Sequence, residues 1–164
     1  MKLQGSVTLP APREAVWQLL TDPQRLAKLL PGAQKLEADG PDRYKVTMKF
    51  GIAAFSGNFQ GSVELADKKP PESFQMLVEG RGAPGFMKGS GAIALREKGA
   101  HTEVKYDGEA QVGGVIASVG QRMVEVAARK IVQQFFDSAK AELASGKSAA
   151  PELSSTRKAK KKGN

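Results

Sequence analysis

The 164-residue sequence contains no cysteine and only one histidine. The lack of cysteine excludes disulfides, thiolate metal sites and cysteine nucleophiles. The histidine, His101, falls in a predicted polar turn, and no nearby residue completes an acid–base pair with it. No cluster of histidines and inward-facing carboxylates offers ligands to a metal ion. We therefore predict no catalytic residues, no metal, no cofactor and no enzymatic activity.

The sequence also has no long apolar run, and residues 1–146 carry only a modest net charge. No stretch of about 18 apolar residues could span a membrane, and Met1–Gly5 lacks the apolar run of a signal peptide, so a cytoplasmic protein is expected. The net charge is +8, but residues 147–164 contain six basic residues and one acidic residue, which leaves +3 for the remainder. That modest charge argues against a nucleic-acid partner for residues 1–146.

The periodicity of apolar residues predicts one strand, two short helices, six strands and a long helix. Lys2–Leu9 alternates as a half-buried strand does, and the next six strands lie between Gln34 and Val112. Two short helices with starts at Pro12 and Asp22 separate the first strand from the others. Ser118 and Gln121 form a predicted capping box for the long helix, which continues to about Leu143.

Seven strands with one polar face need a single apolar cover, and the long helix is the only element large enough to provide it. The predicted fold is therefore of the α+β class, a seven-stranded curved antiparallel sheet around a long C-terminal helix. Residues 1–146 form the predicted domain. Residues 147–164, which are rich in Ser, Ala and Lys, form a predicted disordered basic tail.

Glycines on the inward side of the strands are the first indication of a ligand. They remove side chains from the space between sheet and helix and so leave room for an apolar molecule, although glycines also let a sheet bend sharply. These glycines are Gly5, Gly57, Gly61, Gly80, Gly91 and Gly108. The predicted lining of the cavity is Phe50, Phe55, Phe59, Met76, Phe86, Tyr106, Met123 and Ala127. Tyr106 could instead simply fill the core.

The connections between strands differ at the two ends of the sheet. One end collects polar turns, whereas the other collects apolar segments, Gly51–Ala54, Gly82–Met87 and Gly113–Ile116. Apolar tips beside cations indicate contact with lipid or a partner, unless the tips fold back onto the core. The predicted contact residues are Ile52, Phe86, Met87, Lys88, Val115 and Ile116.

The tail carries a second candidate contact. Its basic residues are Arg157, Lys158, Lys160, Lys161 and Lys162. Each cation near an anionic membrane is worth about 1 kcal/mol, which predicts weak, salt-sensitive peripheral attachment. An acidic protein surface, RNA or a purely solubilising role are the alternatives.

Several local signatures resemble those of a known family. The most specific are Gly85-Phe86-Met87-Lys88-Gly89-Ser90 and the run from Tyr106 to Gly114, and weaker ones are Pro10–Glu14, Asp22-Pro23 and Leu30-Pro31-Gly32. Over about Met1 to Leu143 the chain resembles the carbon monoxide dehydrogenase G-subunit family of the START-like helix-grip (SRPBCC) superfamily.

The resemblance implies a function that the residues alone do not give. It implies a non-catalytic accessory protein of a molybdenum carbon monoxide dehydrogenase-type enzyme. Such a protein would bind a membrane quinone such as menaquinone, or another lipid, and link the enzyme to the inner face of the cytoplasmic membrane. The alternatives are a membrane-recruitment adaptor without ligand transfer and an enzyme that resembles the polyketide cyclases and dehydratases of the superfamily.

Overall fold

The structure is a computed structural model that describes residues 1–52 and 55–145, with residues 50–52, 55 and 56 described by their backbone alone. The chain begins with β1 (Lys2–Leu9), α1 (Arg13–Thr21) and α2 (Pro23–Leu29). The remaining elements are β2 (Ala33–Ala38), β3 (Arg43–Ile52), β4 (Phe55–Lys69), β5 (Ser73–Gly82), β6 (Gly85–Lys98), β7 (His101–Gly113), a 3₁₀ helix (Val115–Val119) and α3 (Gln121–Ala144).

The seven strands form one antiparallel sheet in the order β1-β7-β6-β5-β4-β3-β2. Strands β2 to β7 follow one another as a meander, and β1 pairs with β7, so that Leu3 lies opposite Gly108. The sheet curves around α3, with α1 and α2 inserted after the first strand. The predicted fold class, a START-like helix grip, is confirmed.

Local chemistry accounts for the two short helices. The Asp22 carboxylate accepts a hydrogen bond of 2.9 Å from the backbone N–H of Gln24 and so caps α2, and Pro23 occupies the first turn. The backbone N–H of Asp22 also donates to the carbonyl of Gln18 at the end of α1. One residue thus ends the first helix and begins the second.

The main core lies where α1, α2 and the C-terminal half of α3 meet the sheet. Leu19, Leu26 and Phe74 are fully or almost fully buried there, and Trp17 packs edge-on against Phe74 with ring centroids 5.4 Å apart. A polar contact inside this core joins Thr102 to the chain between β1 and α1. Its hydroxyl donates to the carbonyl of Ala11 at 2.7 Å.

The beginning of the long helix differs from the prediction. The chain forms a 3₁₀ helix over Val115–Val119 and then breaks at Gly120, so α3 starts at Gln121 without a side-chain cap. Gly120 has φ +99° and ψ 152°, a combination that is nearly confined to glycine. The predicted Ser118–Gln121 capping box is wrong because this glycine interrupts the helix between its two members.

The connection between β5 and β6 is also shorter than predicted. Gly82 pairs directly with Gly85, so only Ala83 and Pro84 lie between the strands. Gly85 has φ +141°, which suits the tight reversal at this end of the sheet. The segment Phe86–Lys88, predicted as part of a loop, therefore belongs to β6.

A candidate ligand-binding cavity

A cavity of about 220 Å³ lies between the central strands of the sheet and the middle of α3. Its lining is almost entirely apolar, and it is partly open to solvent. Its principal side chains are Leu3, Leu30, Pro31, Met76, Val78, Ile93, Tyr106, Ala110, Ile131, Val132, Phe135 and Phe136. The arrangement can bury an apolar molecule but offers few groups that could orient a polar one.

Three glycines at the middle of the sheet create this space. Gly91 lies opposite Gly108 on the neighbouring strand, and Gly89 lies opposite Ala110. All four residues line the cavity, so two adjacent rows of the inward face carry almost no side chains. In the next row the paired residues are Ile93 and Tyr106, whose large side chains fill the inward face again. The unfilled volume thus follows from the sequence of β6 and β7 once their register is set.

Tyr106 forms the boundary of the cavity on the side of β1. Its ring stacks on Phe136 at 5.3 Å between centroids, and Phe136 contacts Phe135 edge-on at 5.2 Å. The Tyr106 hydroxyl lies over Gly5, where an added Cβ would come within 2.7 Å of the oxygen. No residue in the described part of the chain forms a hydrogen bond with this hydroxyl, which leaves it available to a ligand.

A more polar groove between β1 and α3 adjoins the cavity. It has a volume of about 340 Å³ and shares Leu3, Tyr106, Val132 and Phe136 with the apolar cavity. Its other walls carry polar and charged side chains, namely Gln4, Ser6, Arg129, Gln133, Asp137 and Lys140. Cavity and groove therefore lie side by side, with the stacked rings of Tyr106 and Phe136 in the wall that they share.

The predicted lining residues are distributed over three places. Met76 and Tyr106 line the cavity. Phe59 and Ala127 instead pack with Ile116 in a second, smaller apolar cluster, because the 3₁₀ helix folds over that end of the sheet. Phe86 and Met123 are 38% and 45% exposed. These last four residues do not line this cavity, and the side chains of Phe50 and Phe55 lie outside the described residues.

Sequence reasoning missed most of the cavity wall on α3. Ile131 and Phe135 lie four positions apart on the long helix, a spacing that indicates an apolar face but does not show whether that face meets a ligand or the core. Leu3 is on the inward parity of β1 and could have been found by its strand alternation. The pairing of β1 with β7, which brings Leu3 to Gly108, is a tertiary feature without a local signal.

The apolar end of the sheet is only partly exposed. Ile116 is 1% exposed and its N–H donates to the Pro84 carbonyl, so its predicted role in membrane or partner contact is wrong. Met87 is half-buried against the smaller cluster. Val115 is 56% exposed, and Phe86 lies beneath the Arg81 guanidinium at 5.6 Å. None of these four apolar residues lines the cavity.

The other predicted contact residues divide between the surface and undescribed segments. Lys88 is exposed on the outer face of β6, opposite Glu79. The side chain of Ile52 and the basic tail residues, Arg157, Lys158, Lys160, Lys161 and Lys162, lie outside the described residues.

Charged groups lie on the outer surface of the sheet. Lys2 pairs with Asp107 at 3.7 Å and with Glu109 at 3.9 Å, and all three side chains are largely exposed. Among the described residues, Thr102 is the only buried polar side chain. In the same part of the chain, no group of three acidic or histidine side chains is placed to hold a metal ion. Nor does any described helix have the length and apolarity to cross a membrane.

Comparison with known proteins gives one family match. The family model for the carbon monoxide dehydrogenase G-subunit (CoxG) matches residues 5–144 of the chain. No curated protein shows significant similarity to the sequence.

Solved structures share the architecture. A conserved protein from Geobacillus kaustophilus is 37% identical with a TM-score of 0.85, and the match covers 89% of this chain and 97% of that one. TTHA0849 from Thermus thermophilus is 14% identical with a TM-score of 0.66, covering 89% and 99%. Ms6760 from Mycobacterium smegmatis is 18% identical with a TM-score of 0.63, covering 88% and 92%. The last two similarities concern the fold alone.

Proposed function

The chain belongs to the carbon monoxide dehydrogenase G-subunit (CoxG) family, and from this we propose that it is a non-catalytic accessory protein of a molybdenum carbon monoxide dehydrogenase-type enzyme. In this proposal it binds a lipophilic molecule, a membrane quinone such as menaquinone, between the sheet and α3. It also links the enzyme to the inner face of the cytoplasmic membrane. Family membership supports the accessory role, and the cavity supports the ligand.

The observation that carries the ligand proposal is the unfilled apolar space beneath Gly89, Gly91 and Gly108. The space measures about 220 Å³, is partly open to solvent and has an almost entirely apolar lining, which suits an apolar molecule. Each methylene group transferred into it from water gains about 0.8 kcal/mol. An isoprenoid or acyl chain can therefore bind there by burial alone.

The size of the site indicates how a larger molecule would be held. Ligand pockets usually measure about 300–1,000 Å³, more than the cavity alone provides. The adjoining groove between β1 and α3 adds a volume of about 340 Å³ and has a more polar lining. A quinone head in the groove would have its carbonyl groups near the Tyr106 hydroxyl, while its tail occupied the cavity.

A cavity-filling variant tests the proposal. In Ala110→Leu a larger side chain enters the cavity beside Gly89, whereas Ala94→Leu makes the same change on the exposed outer face of β6. We expect A110L to weaken binding of the neutral fluorescent probe N-phenyl-1-naphthylamine and of a short-chain menaquinone by at least about tenfold, since their apolar contact area is lost. A94L should bind both like the wild-type chain. Equal binding by A110L and A94L would contradict the proposal.

The partner and the bound molecule need separate measurements. Native mass spectrometry of the purified full chain should detect a co-purified lipid or quinone that is absent from A110L. If A110L unfolds more easily than A94L, Gly91→Val provides a second filling variant, because a Cβ at Gly91 meets its nearest atom at an ordinary 3.4 Å. An unliganded protein that still binds a molybdenum dehydrogenase would favour the adaptor over the carrier.

A further inference from the structure

The outer face of α3 carries an exposed valine among cations. Val126 is 58% exposed, because nothing in the described part of the chain covers it. Its neighbours three and four positions away on the helix are Arg122, Met123, Arg129 and Lys130, all of them exposed. Met123 is 45% exposed, so two apolar side chains lie together on this face. We name this set, residues 122, 123, 126, 129 and 130, the Val126 face.

The cations of the Val126 face have no acidic partner within the part of the chain that the structure describes. No ion pair within the described residues involves Arg122, Arg129 or Lys130. The acidic residue in the same turns, Glu125, is partly buried on the flank of the helix rather than on this face. Two exposed apolar side chains bordered by arginine and lysine combine the two attractions that hold a protein surface at an anionic bilayer, apolar burial and charge.

The neighbouring 3₁₀ helix contributes a further exposed apolar side chain, Val115, at 56% exposure. The opposite side of these two elements, Ile116, Val119 and Ala127, is anchored on Phe59 in the smaller apolar cluster. The exposed side chains are therefore held on a packed support and do not belong to a free loop. A rigid support lowers the conformational entropy lost on binding a surface.

We propose that the Val126 face docks this protein on an anionic lipid bilayer. The inference rests on the proposed function and gives it a surface, because Arg129 belongs both to the docking face and to the wall of the groove. That groove shares four residues with the apolar cavity. Docking by this face therefore places the polar groove, which shares a wall with the cavity, beside the lipid headgroups.

The test measures binding of the full chain to vesicles of equimolar phosphatidylcholine and phosphatidylglycerol by sedimentation. Val126→Asp should lower the apparent affinity by at least about tenfold, since it replaces apolar contact with an anion. Its matched control is Leu77→Asp, which changes an apolar residue of 39% exposure on the outer face of β5. The double variant R122Q/K130Q should lose roughly twenty-five-fold, as each cation accounts for about fivefold. Its control is K45Q/K105Q on β3 and β7.

The vesicle and probe measurements separate the docking surface from the carrier function. Equal vesicle binding by V126D and the wild-type chain, or equal losses in V126D and L77D, would overturn the docking surface. So would a V126D variant that still binds vesicles but no longer binds the dehydrogenase, since the face would then serve a protein. Uptake of N-phenyl-1-naphthylamine without vesicles should be unchanged in V126D. Failure of probe uptake in the wild-type chain would refute the carrier function and leave the docking result standing.

Discussion

At the scale of single residues, the glycines on the inward face of the sheet have two different roles. A Cβ at Gly61 would overlap the backbone carbonyl of Glu79, and one at Gly108 would come within 2.5 Å of the Ser90 oxygen. At Gly91 the nearest atom would be 3.4 Å away, an ordinary contact. Gly61 and Gly108 are thus required by close backbone approach between strands, whereas Gly91 mainly leaves volume unfilled.

The contrast between these positions predicts opposite effects of the same substitution. We expect Gly61→Ala to lower the free energy of unfolding by about 1–3 kcal/mol, because the strands must shift to admit the methyl group. Gly91→Ala should change it little or raise it by up to about 1 kcal/mol, since alanine restricts the unfolded chain. Urea unfolding followed by circular dichroism measures both. A G91A variant as unstable as G61A would show that the space at Gly91 is not free.

At the scale of elements, the break at Gly120 decides how the end of the sheet is covered. The 3₁₀ helix turns Ile116 toward Phe59, and α3 then starts in a new direction. A continuous helix from Ser118 would lack this change of direction. The smaller apolar cluster, which joins Ile116 and Val119 of the 3₁₀ helix to Ala127 of α3, forms across this break.

One substitution at the break and one two residues before it test this description. Gly120→Ala should cost about 1–3 kcal/mol of stability from backbone strain alone, because no atom lies within 4 Å of an added Cβ. Ser118→Ala should change stability by less than about 0.5 kcal/mol, since the Ser118 side chain does not cap α3. Thermal unfolding of both variants provides the measurement. A loss of about 1 kcal/mol in S118A, the usual cost of removing a cap, would instead show that Ser118 does cap the helix.

At the scale of the whole molecule, the cavity is a product of three distant parts of the chain. β1 supplies Leu3, the adjacent strands β6 and β7 supply the glycines, and α3 supplies Phe135 and Phe136. The basic tail is chemically separate from this site because residues 147–164 contain six cations but few apolar residues. Ligand binding and tail attachment should therefore be separable.

Removal of the tail tests that separation. Deletion of residues 147–164 should weaken binding to anionic vesicles, since five or six cations are lost, each worth about 1 kcal/mol near the surface. The affinity for N-phenyl-1-naphthylamine should stay unchanged. Vesicle sedimentation at low and high salt, with probe titration in parallel, measures both. Unchanged vesicle binding would remove the tail from membrane attachment and leave the Val126 face as the candidate surface.

The sequence by itself determined the elements and the fold class. Period-two alternation predicts seven strands, and the apolar face of one long helix requires a sheet to cover it. Both signals depend only on residues that are close in sequence, so no knowledge of distant contacts is needed to read them. The inward parity of Gly91 and Gly108, and of Met76 and Tyr106, followed from the same rule.

Only the tertiary structure decided where the interior stays open. That depends on register, which sets Gly91 opposite Gly108, and on the pairing of β1 with β7, which brings residues about a hundred positions apart into contact. Phe59 and Ala127 have the same apolar character as Met76 and Tyr106, yet they pack with Ile116 of the 3₁₀ helix in the smaller cluster. Local periodicity shows which side chains face inward, but packing between distant segments decides which of them meet a cavity and which meet one another.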